Sequence, residues 1–200
     1  MQAAARRQVL FGFAAATCAA AVPSVLQTEL IRRAPLVSPS LTAPPAAALA
    51  DVRRVVLHNL HTGDTFNEAY WEKGAYVPDA LAEAQRVLRD WRNGQEHFMD
   101  PKLFDLLHGI SQKLETTRPF QIISGYRSPQ TNAMMHERSA GVASHSQHML
   151  GKASDIRIDG VELSNLHRAA LSLKGGGVGL YPVSNFVHVD VARVRTWQGV

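Results

Sequence analysis

The chain has 200 residues, of which 46% are hydrophobic and 19% charged, an ordinary globular composition that excludes a disordered or collagen-like chain. No apolar run reaches the roughly 18–20 residues of a confident transmembrane helix. The net charge of +4 comes largely from the first fifty residues, which leave 17 basic and 16 acidic residues for the rest. This balance argues against a nucleic-acid-binding domain. Cys18 is the only cysteine, so an intrachain disulfide and a cysteine-based zinc site are ruled out.

The first fifty residues are typical of an export signal and not of a domain. The pair Arg6-Arg7 precedes a modest apolar stretch, Phe11–Val22, as in bacterial twin-arginine signals. Ala48-Leu49-Ala50 has the small-x-small form of a signal-peptidase site, which predicts a mature chain that begins near Asp51. A site near Ala19-Ala20-Ala21 and an uncleaved membrane anchor are the alternatives. The alanine- and proline-rich composition predicts disorder for the segment.

Residues 51–200 predict one domain in which helices and strands alternate irregularly. Alternating or β-branched runs predict five strands, at Val52–Leu60, Thr65–Trp71, Phe120–Ser124, Ser154–Asp159 and Phe186–Val191. The strand Phe186–Val191 is predicted to be the last one in the chain. Apolar spacing and start signals predict four helices, from an N-cap at Asp79 to Trp91, from Asp100-Pro101 to Leu114, from Gln130 to Ser139 and from Leu163 to Lys174. The glycine run 175–179 is expected to connect the last helix to a strand. The lack of regular βαβ repetition indicates an α+β fold with a mostly antiparallel sheet and flanking helices.

A histidine and a carboxylate flank a glycine turn in the segment Ser144–Asp155. If that turn folds the chain back, His148 and Asp155 converge, and zinc accepts both ligand types. A catalytic zinc site needs three protein ligands and one open position. His188 is the best third candidate because it lies on the final predicted strand, facing away from the valines. If this strand pairs with that of Asp155, the two side chains face each other across about 5 Å.

Several ordered motifs resemble the zinc peptidases of the M15 and LAS type, and most closely the murein endopeptidase K family, also called the DUF882 family. In chain order the motifs are His61–Asp64, Leu88–Arg92, Ser124–Ser128 with Asn132, Ser146–Asp155, Gly176–Pro182, Phe186–Asp190 and Arg195–Trp197. They cover roughly Val52 to Trp197. The resemblance implies an M15/hedgehog-like zinc peptidase fold and cleavage of peptide bonds in bacterial peptidoglycan.

The resemblance also implies a set of site residues. Zn²⁺ would be bound by His148, Asp155 and His188, and it would make water nucleophilic near neutral pH. Arg127 would point toward the site. As a fixed cation, it can stabilise the oxyanion or hold a substrate carboxylate, and a structural ion pair is the alternative role.

One departure from the family pattern concerns the general base. Many relatives have His-x-His on the last strand, whereas this chain has Phe186 at the first position. Asp190 shares the face of His188 and is the leading candidate for the catalytic base, although it can instead orient a ligand histidine through its ring N–H. His145 is the next candidate, with a solvent-facing loop position as its alternative.

These observations predict an exported, zinc-dependent murein endopeptidase that hydrolyses amide bonds in peptide cross-links, including meso-diaminopimelate cross-links of the 3-3 kind. Carboxypeptidase action, a non-catalytic zinc-binding module that binds the cell wall, and a metal-free structural envelope domain are the alternatives. The expected partners are peptidoglycan stem peptides and cross-links, with no nucleic acid and no stable membrane insertion after signal cleavage. The protein is expected to be a periplasmic monomer.

Overall fold

An eight-stranded mixed sheet organises residues 52–138 and 143–199, the parts of the chain that the computed structural model describes. The strands are β1 Arg53–Asn59, β2 Thr65–Glu72, β3 Ala75–Tyr76, β4 Phe120–Ser124, β5 Ala153–Ile158, β6 Gly177–Tyr181, β7 Phe186–Asp190 and β8 Arg195–Gln198. Their order across the sheet is β3-β2-β1-β4-β5-β7-β6-β8. Neighbouring strands are antiparallel except for the parallel pairs β1–β4 and β6–β8. The predicted α+β class is confirmed.

Part of the sequence interpretation falls outside the described residues. This applies to the export signal and cleavage sites within residues 1–50, to Cys18, and to the predicted end of the third helix at Ser139. These stay predictions. Within residues 52–138 and 143–199, no helix has the length and apolarity needed to cross a bilayer.

Within the described residues, four α-helices accompany the sheet: α1 Pro78–Val87, α2 Pro101–Lys113, α3 Pro129–Arg138 and α4 Leu163–Leu173. The first three begin with a proline, whose fixed φ suits the first helical turn. The predicted cap of α2 is confirmed, because the Asp100 carboxylate accepts a hydrogen bond from the Lys102 backbone N–H at 3.0 Å. A short 3-10 helix, Gln147–Leu150, precedes β5.

The prediction for α1 was wrong at both ends. Its N-cap is Val77, which makes no side-chain cap, and Asp79 lies within the first turn. The helix ends at Val87 and does not reach Trp91, because the chain turns away into a loop. The buried Asp90 carboxylate anchors this loop by accepting hydrogen bonds from backbone N–H groups outside the helix.

The strands β3, β6 and β8 were not predicted. The glycine run 175–179 was expected to be a connection, but from Gly177 onward it belongs to strand β6, which lies between β7 and β8. Strand β8 follows β7, so the strand predicted as the last one is followed by another. Gly179 pairs with His188 and lies under the Trp197 ring, where an added Cβ would come within 2.5 Å of the indole. A glycine is therefore required for this close approach.

The hydrophobic core lies on one face of the sheet, against α1, α2 and α4. On the central strands, Ile156, Val187 and Val189 point into this core and are fully buried. Side chains alternate between faces along a strand, so Asp155 and His188 point to the opposite face. The same alternation that builds the core therefore places two polar side chains together on the other side.

Candidate metal centre

His148, Asp155 and His188 form a compact triangle of potential metal ligands. Strands β5 and β7 pair with Asp155 directly opposite His188, as the sequence interpretation required. The Asp155 Oδ1 atom lies 2.9 Å from His188 Nδ1 and 3.2 Å from His148 Nε2, and the two nitrogens are 3.2 Å apart. Tetrahedral zinc with bonds of about 2.0–2.1 Å separates its ligands by about 3.3 Å. The geometry therefore fits zinc with little movement.

Each histidine of the triangle is oriented through its second ring nitrogen. His148 Nδ1 lies 2.7 Å from the Gly125 carbonyl oxygen, so this nitrogen carries the proton and Nε2 is left with a lone pair. His188 Nε2 lies 3.1 Å from the Asp190 carboxylate, which leaves Nδ1 toward Asp155. Carbonyl and carboxylate partners of this kind are typical of metal-ligating histidines.

The protonation of the triangle is coupled to the binding of a cation. Burial lowers the pKa of His148, which favours the neutral imidazole. Burial alone would raise the pKa of Asp155, but the two histidines hold that pKa well below its ordinary range. Burial alone would lower the pKa of His188, but hydrogen bonds to Asp155 and Asp190 raise it. A cation that binds here therefore meets a carboxylate and displaces a proton from the histidine pair.

Local sequence explains how His148 reaches the site. The Ser146 hydroxyl accepts a hydrogen bond from the His148 backbone N–H, which caps the 3-10 helix. Gly151 ends the helix with φ +65°, a conformation that glycine adopts without strain. Strand β4 has an irregular register between Ile122 and Ser124, next to the pairing with Asp155. Such bulges commonly redirect chains beside functional sites.

Gly125 is expected to be intolerant of a side chain. An added Cβ would overlap the Leu88 carbonyl oxygen and lie 2.9 Å from the Leu88 Cα, and both are backbone atoms that cannot rotate away. Gly125→Ala should therefore move the carbonyl that holds His148 and lower metal affinity by about tenfold or more. Competition with a chromogenic chelator measures this. Gly109→Ala is the control, because the added Cβ meets only the flexible end of the Leu173 side chain and Gly109 lies outside the cavity. Unchanged affinity in Gly125→Ala would show that the carbonyl does not control the histidine.

The triangle lies in a cavity of about 530 Å³. Aromatic side chains form one wall: the Tyr181 ring stacks on Phe186 at 4.4 Å, and the Trp197 indole N–H donates to the Tyr181 hydroxyl at 2.9 Å. The Trp197 ring lies 5.1 Å from that of His188. Tyr126 is buried against His97 and does not line the cavity.

Arg127 is buried beside the triangle, as expected. One guanidinium nitrogen lies 3.9 Å from Asp155 and another donates to Asn132 at 3.4 Å. Its Nε is buried and has no hydrogen-bond partner among the residues that the structure describes. Burial lowers the pKa of Arg127, opposed by the Asp155 carboxylate. A buried cation that lacks a hydrogen-bond partner for one of its donors costs the fold stability. On a cavity wall, such a cation is well suited to bind an anionic group.

The two candidates for the general base occupy different environments. Asp190 is fully buried and its carboxylate is saturated by His188, by a bidentate contact from Arg195 at 2.6 and 3.0 Å, and by the backbone N–H groups of Gly177 and Ala192. Burial alone would raise its pKa, but these contacts hold it well below the ordinary range. His145 is exposed, lines the cavity, and bonds only to Ser144 within the described residues.

Sequence reasoning missed several groups at the site. The Gly125 carbonyl and the Arg195–Asp190 ion pair carry no local signal. His61 and Arg92 belong to motifs noted in the sequence, but they received no role there, and both line the cavity. The clustering of aromatic, histidine and arginine residues in those two motifs was the available signal.

Comparisons with known proteins agree on one family. The family model Peptidase_M15_2, described as peptidoglycan L,D-endopeptidase MepK, matches residues 47–197. The chain is 43% identical to the peptidoglycan L,D-endopeptidase MepK of Escherichia coli K12 over 159 residues, which cover 78% of this chain and 87% of the relative. It is 42% identical to the probable peptidoglycan L,D-endopeptidase MepK of Haemophilus influenzae over 149 residues, covering 74% and 80%. No solved structure matches the chain.

Proposed function

Since the chain belongs to the peptidoglycan L,D-endopeptidase MepK family, we propose that it is a metal-dependent peptidase that hydrolyses amide bonds in the peptide cross-links of bacterial peptidoglycan. The observation that carries the proposal is the triangle of His148, Asp155 and His188 within a cavity that Arg127 also lines. Names of the relatives favour L,D-endopeptidase action over carboxypeptidase action. A peptidoglycan substrate places the working protein outside the cytoplasm, in keeping with the proposed twin-arginine export and periplasmic location.

We propose Zn²⁺ as the metal, held by His148, Asp155 and His188. Two imidazoles and one carboxylate are a ligand set of catalytic zinc sites, which keep a further position open. When bound, the ion supplies Lewis acidity and activates water near neutral pH. Hydrogen bonds to Gly125 and Asp190 fix the two imidazoles in the orientation that presents their lone pairs to the centre of the triangle.

In this proposal, Arg127 binds a negatively charged group of the substrate. Its guanidinium is held beside Asp155 by burial and by Asn132, so it needs no rearrangement when negative charge develops on a carbonyl oxygen. The incompletely bonded Nε shows that Asp155 and Asn132 do not use all of its donors. A role in binding the oxyanion or a neighbouring substrate carboxylate follows from the same geometry.

Paired variants separate the proposed roles of Asp190 and His145. Asp190 is already saturated with donors, so we propose that it positions His188, and that His145 exchanges protons with the reacting groups. Asp190→Asn should lower metal affinity about 10- to 100-fold. His145→Gln should retain metal and lose about 100-fold or more in kcat. Metal titration and steady-state kinetics measure both. Full metal affinity with lost turnover in Asp190→Asn would instead make Asp190 the base.

Digestion of defined muropeptides tests the function. The purified full chain is incubated with cross-linked muropeptide dimers carrying 3-3 or 4-3 cross-links, and products are identified by mass spectrometry. We expect monomer products from the 3-3 dimers, loss of cleavage with a chelator, and recovery on addition of Zn²⁺. Release of a terminal amino acid alone would indicate a carboxypeptidase.

A non-catalytic metal-binding module on the same scaffold is the second candidate. The presence of Phe186 on β7, packed against Tyr181, favours it, because no imidazole occupies that position. The digestion distinguishes the two candidates. A zinc-loaded chain that binds the muropeptides and releases no product would establish the module and overturn the peptidase.

A further inference from the structure

Among the described residues, three arginines line the cavity, and two of these guanidinium groups lie within 4 Å of a carboxylate. Arg195 is neutralised by the bidentate contact with Asp190, and Arg127 lies near Asp155. The guanidinium of Arg92 forms no ion pair with any carboxylate of the described residues. Its charge is thus available to a molecule that enters the cavity.

The Arg92 side chain is nevertheless held in place. Its guanidinium carbon lies 4.2 Å from the Trp91 ring centroid, and the other partner of that indole is the His61 ring, stacked at 4.0 Å. His61 in turn is fixed by a contact of 3.1 Å between its Nε2 and the Ile123 carbonyl. Stacking engages the flat face of a guanidinium and leaves the N–H donors at its edge free.

The loop that carries Arg92 is also anchored. The Asp90 carboxylate, only 1% exposed, accepts from the Arg92 backbone N–H at 3.1 Å and from the Ser128 backbone N–H at 3.0 Å. Ser128 directly follows Arg127 in the chain. One buried carboxylate therefore ties the segment bearing Arg92 to the segment bearing Arg127. This anchoring lowers the conformational entropy that is lost when Arg92 binds a ligand.

We propose that Arg92 is a specificity-determining residue that binds a free carboxylate of the peptide substrate, beside the contacts made by Arg127. This inference rests on the proposed function, since the ligand is a peptidoglycan stem peptide, whose carboxylates are the natural partners of a guanidinium. A planar guanidinium binds a carboxylate through two parallel N–H···O bonds. An uncharged amide on the substrate cannot replace the carboxylate in that arrangement. The cavity therefore selects substrates whose carboxylate near the scissile bond is free and discriminates against amidated ones.

The test compares two matched substrates. Cross-linked muropeptide dimers with free carboxylates and the same dimers after amidation are digested by the full chain and by Arg92→Gln. The wild type should prefer the free form by about tenfold in kcat/KM. Arg92→Gln should lose about tenfold on the free form, through KM with kcat retained, and should be unchanged on the amidated form. Arg168→Gln, which removes one exposed positive charge away from this cavity, is the matched control and should keep the wild-type preference.

Binding provides a second measurement that does not depend on turnover. After chelator treatment, the affinity of each protein for the two dimers is measured by calorimetry, and Arg92→Gln should again lose the preference for the free form. A wild-type chain that cleaves both dimers equally well, or an Arg92→Gln variant with an undiminished preference, would overturn this inference alone. A wild-type chain that cleaves neither dimer would overturn the proposed function.

Discussion

Replacing His148 with alanine should abolish both metal binding and peptidoglycan cleavage. The substitution removes the Nε2 atom that lies 3.2 Å from both Asp155 and His188, and two remaining ligands cannot hold a catalytic zinc ion. Metal content after dialysis should fall to background, and kcat/KM should drop at least about 1,000-fold. Elemental analysis and muropeptide digestion measure the two effects.

Thermal unfolding separates loss of metal from loss of fold. Zinc at about 100 times its dissociation constant should stabilise the wild type by about 2.7 kcal/mol and should not shift His148→Ala. Asp155→Asn, which keeps the side-chain volume, should show the same loss of metal. His58→Ala, which removes a half-buried histidine of β1 away from the cavity, should keep metal and activity. A His148→Ala protein that retains zinc and cleaves would disprove the ligand assignment.

Arg127→Lys should reduce catalysis strongly without affecting the metal. Lysine keeps the positive charge but lacks the planar set of donors that reaches Asn132 and the cavity together. We expect kcat to fall about 100- to 1,000-fold, the loss typical of removing an oxyanion-stabilising donor, while zinc content stays that of the wild type. Steady-state kinetics on cross-linked dimers, combined with elemental analysis, gives both values.

The division between kcat and KM identifies what Arg127 binds. A loss confined to kcat indicates the oxyanion, whereas a loss confined to KM indicates a substrate carboxylate. Arg118→Lys, at an exposed arginine that contacts the Asp159 carbonyl away from the cavity, is the control and should be unchanged. If both Arg127→Lys and Arg127→Ala showed wild-type kinetics, the role of Arg127 would be limited to its structural ion pair with Asp155.

The sequence alone predicted the class of fold and, with the family resemblance, named His148, Asp155 and His188 as candidate ligands. Strand alternation predicts that Asp155 and His188 face away from the valines of their strands, and the glycine turn after His148 predicts the return of the chain. These patterns are local, because they repeat every few residues. In the structure, the three ligand atoms lie within 4.8 Å of one another. The boundaries of most strands follow from the same patterns.

The tertiary structure alone decided what surrounds those ligands. The sequence does not indicate any partner for the Asp190 carboxylate. In the fold, this carboxylate accepts hydrogen bonds from Arg195 and from two backbone N–H groups. Strand β8 brings Trp197 beside His188, and the early end of α1 leaves Arg92 in a loop at the cavity. Each of these arrangements depends on pairing between distant segments or on a single buried hydrogen bond. Such contacts have no periodic signal along the chain, because they are determined by which strands become neighbours in the sheet.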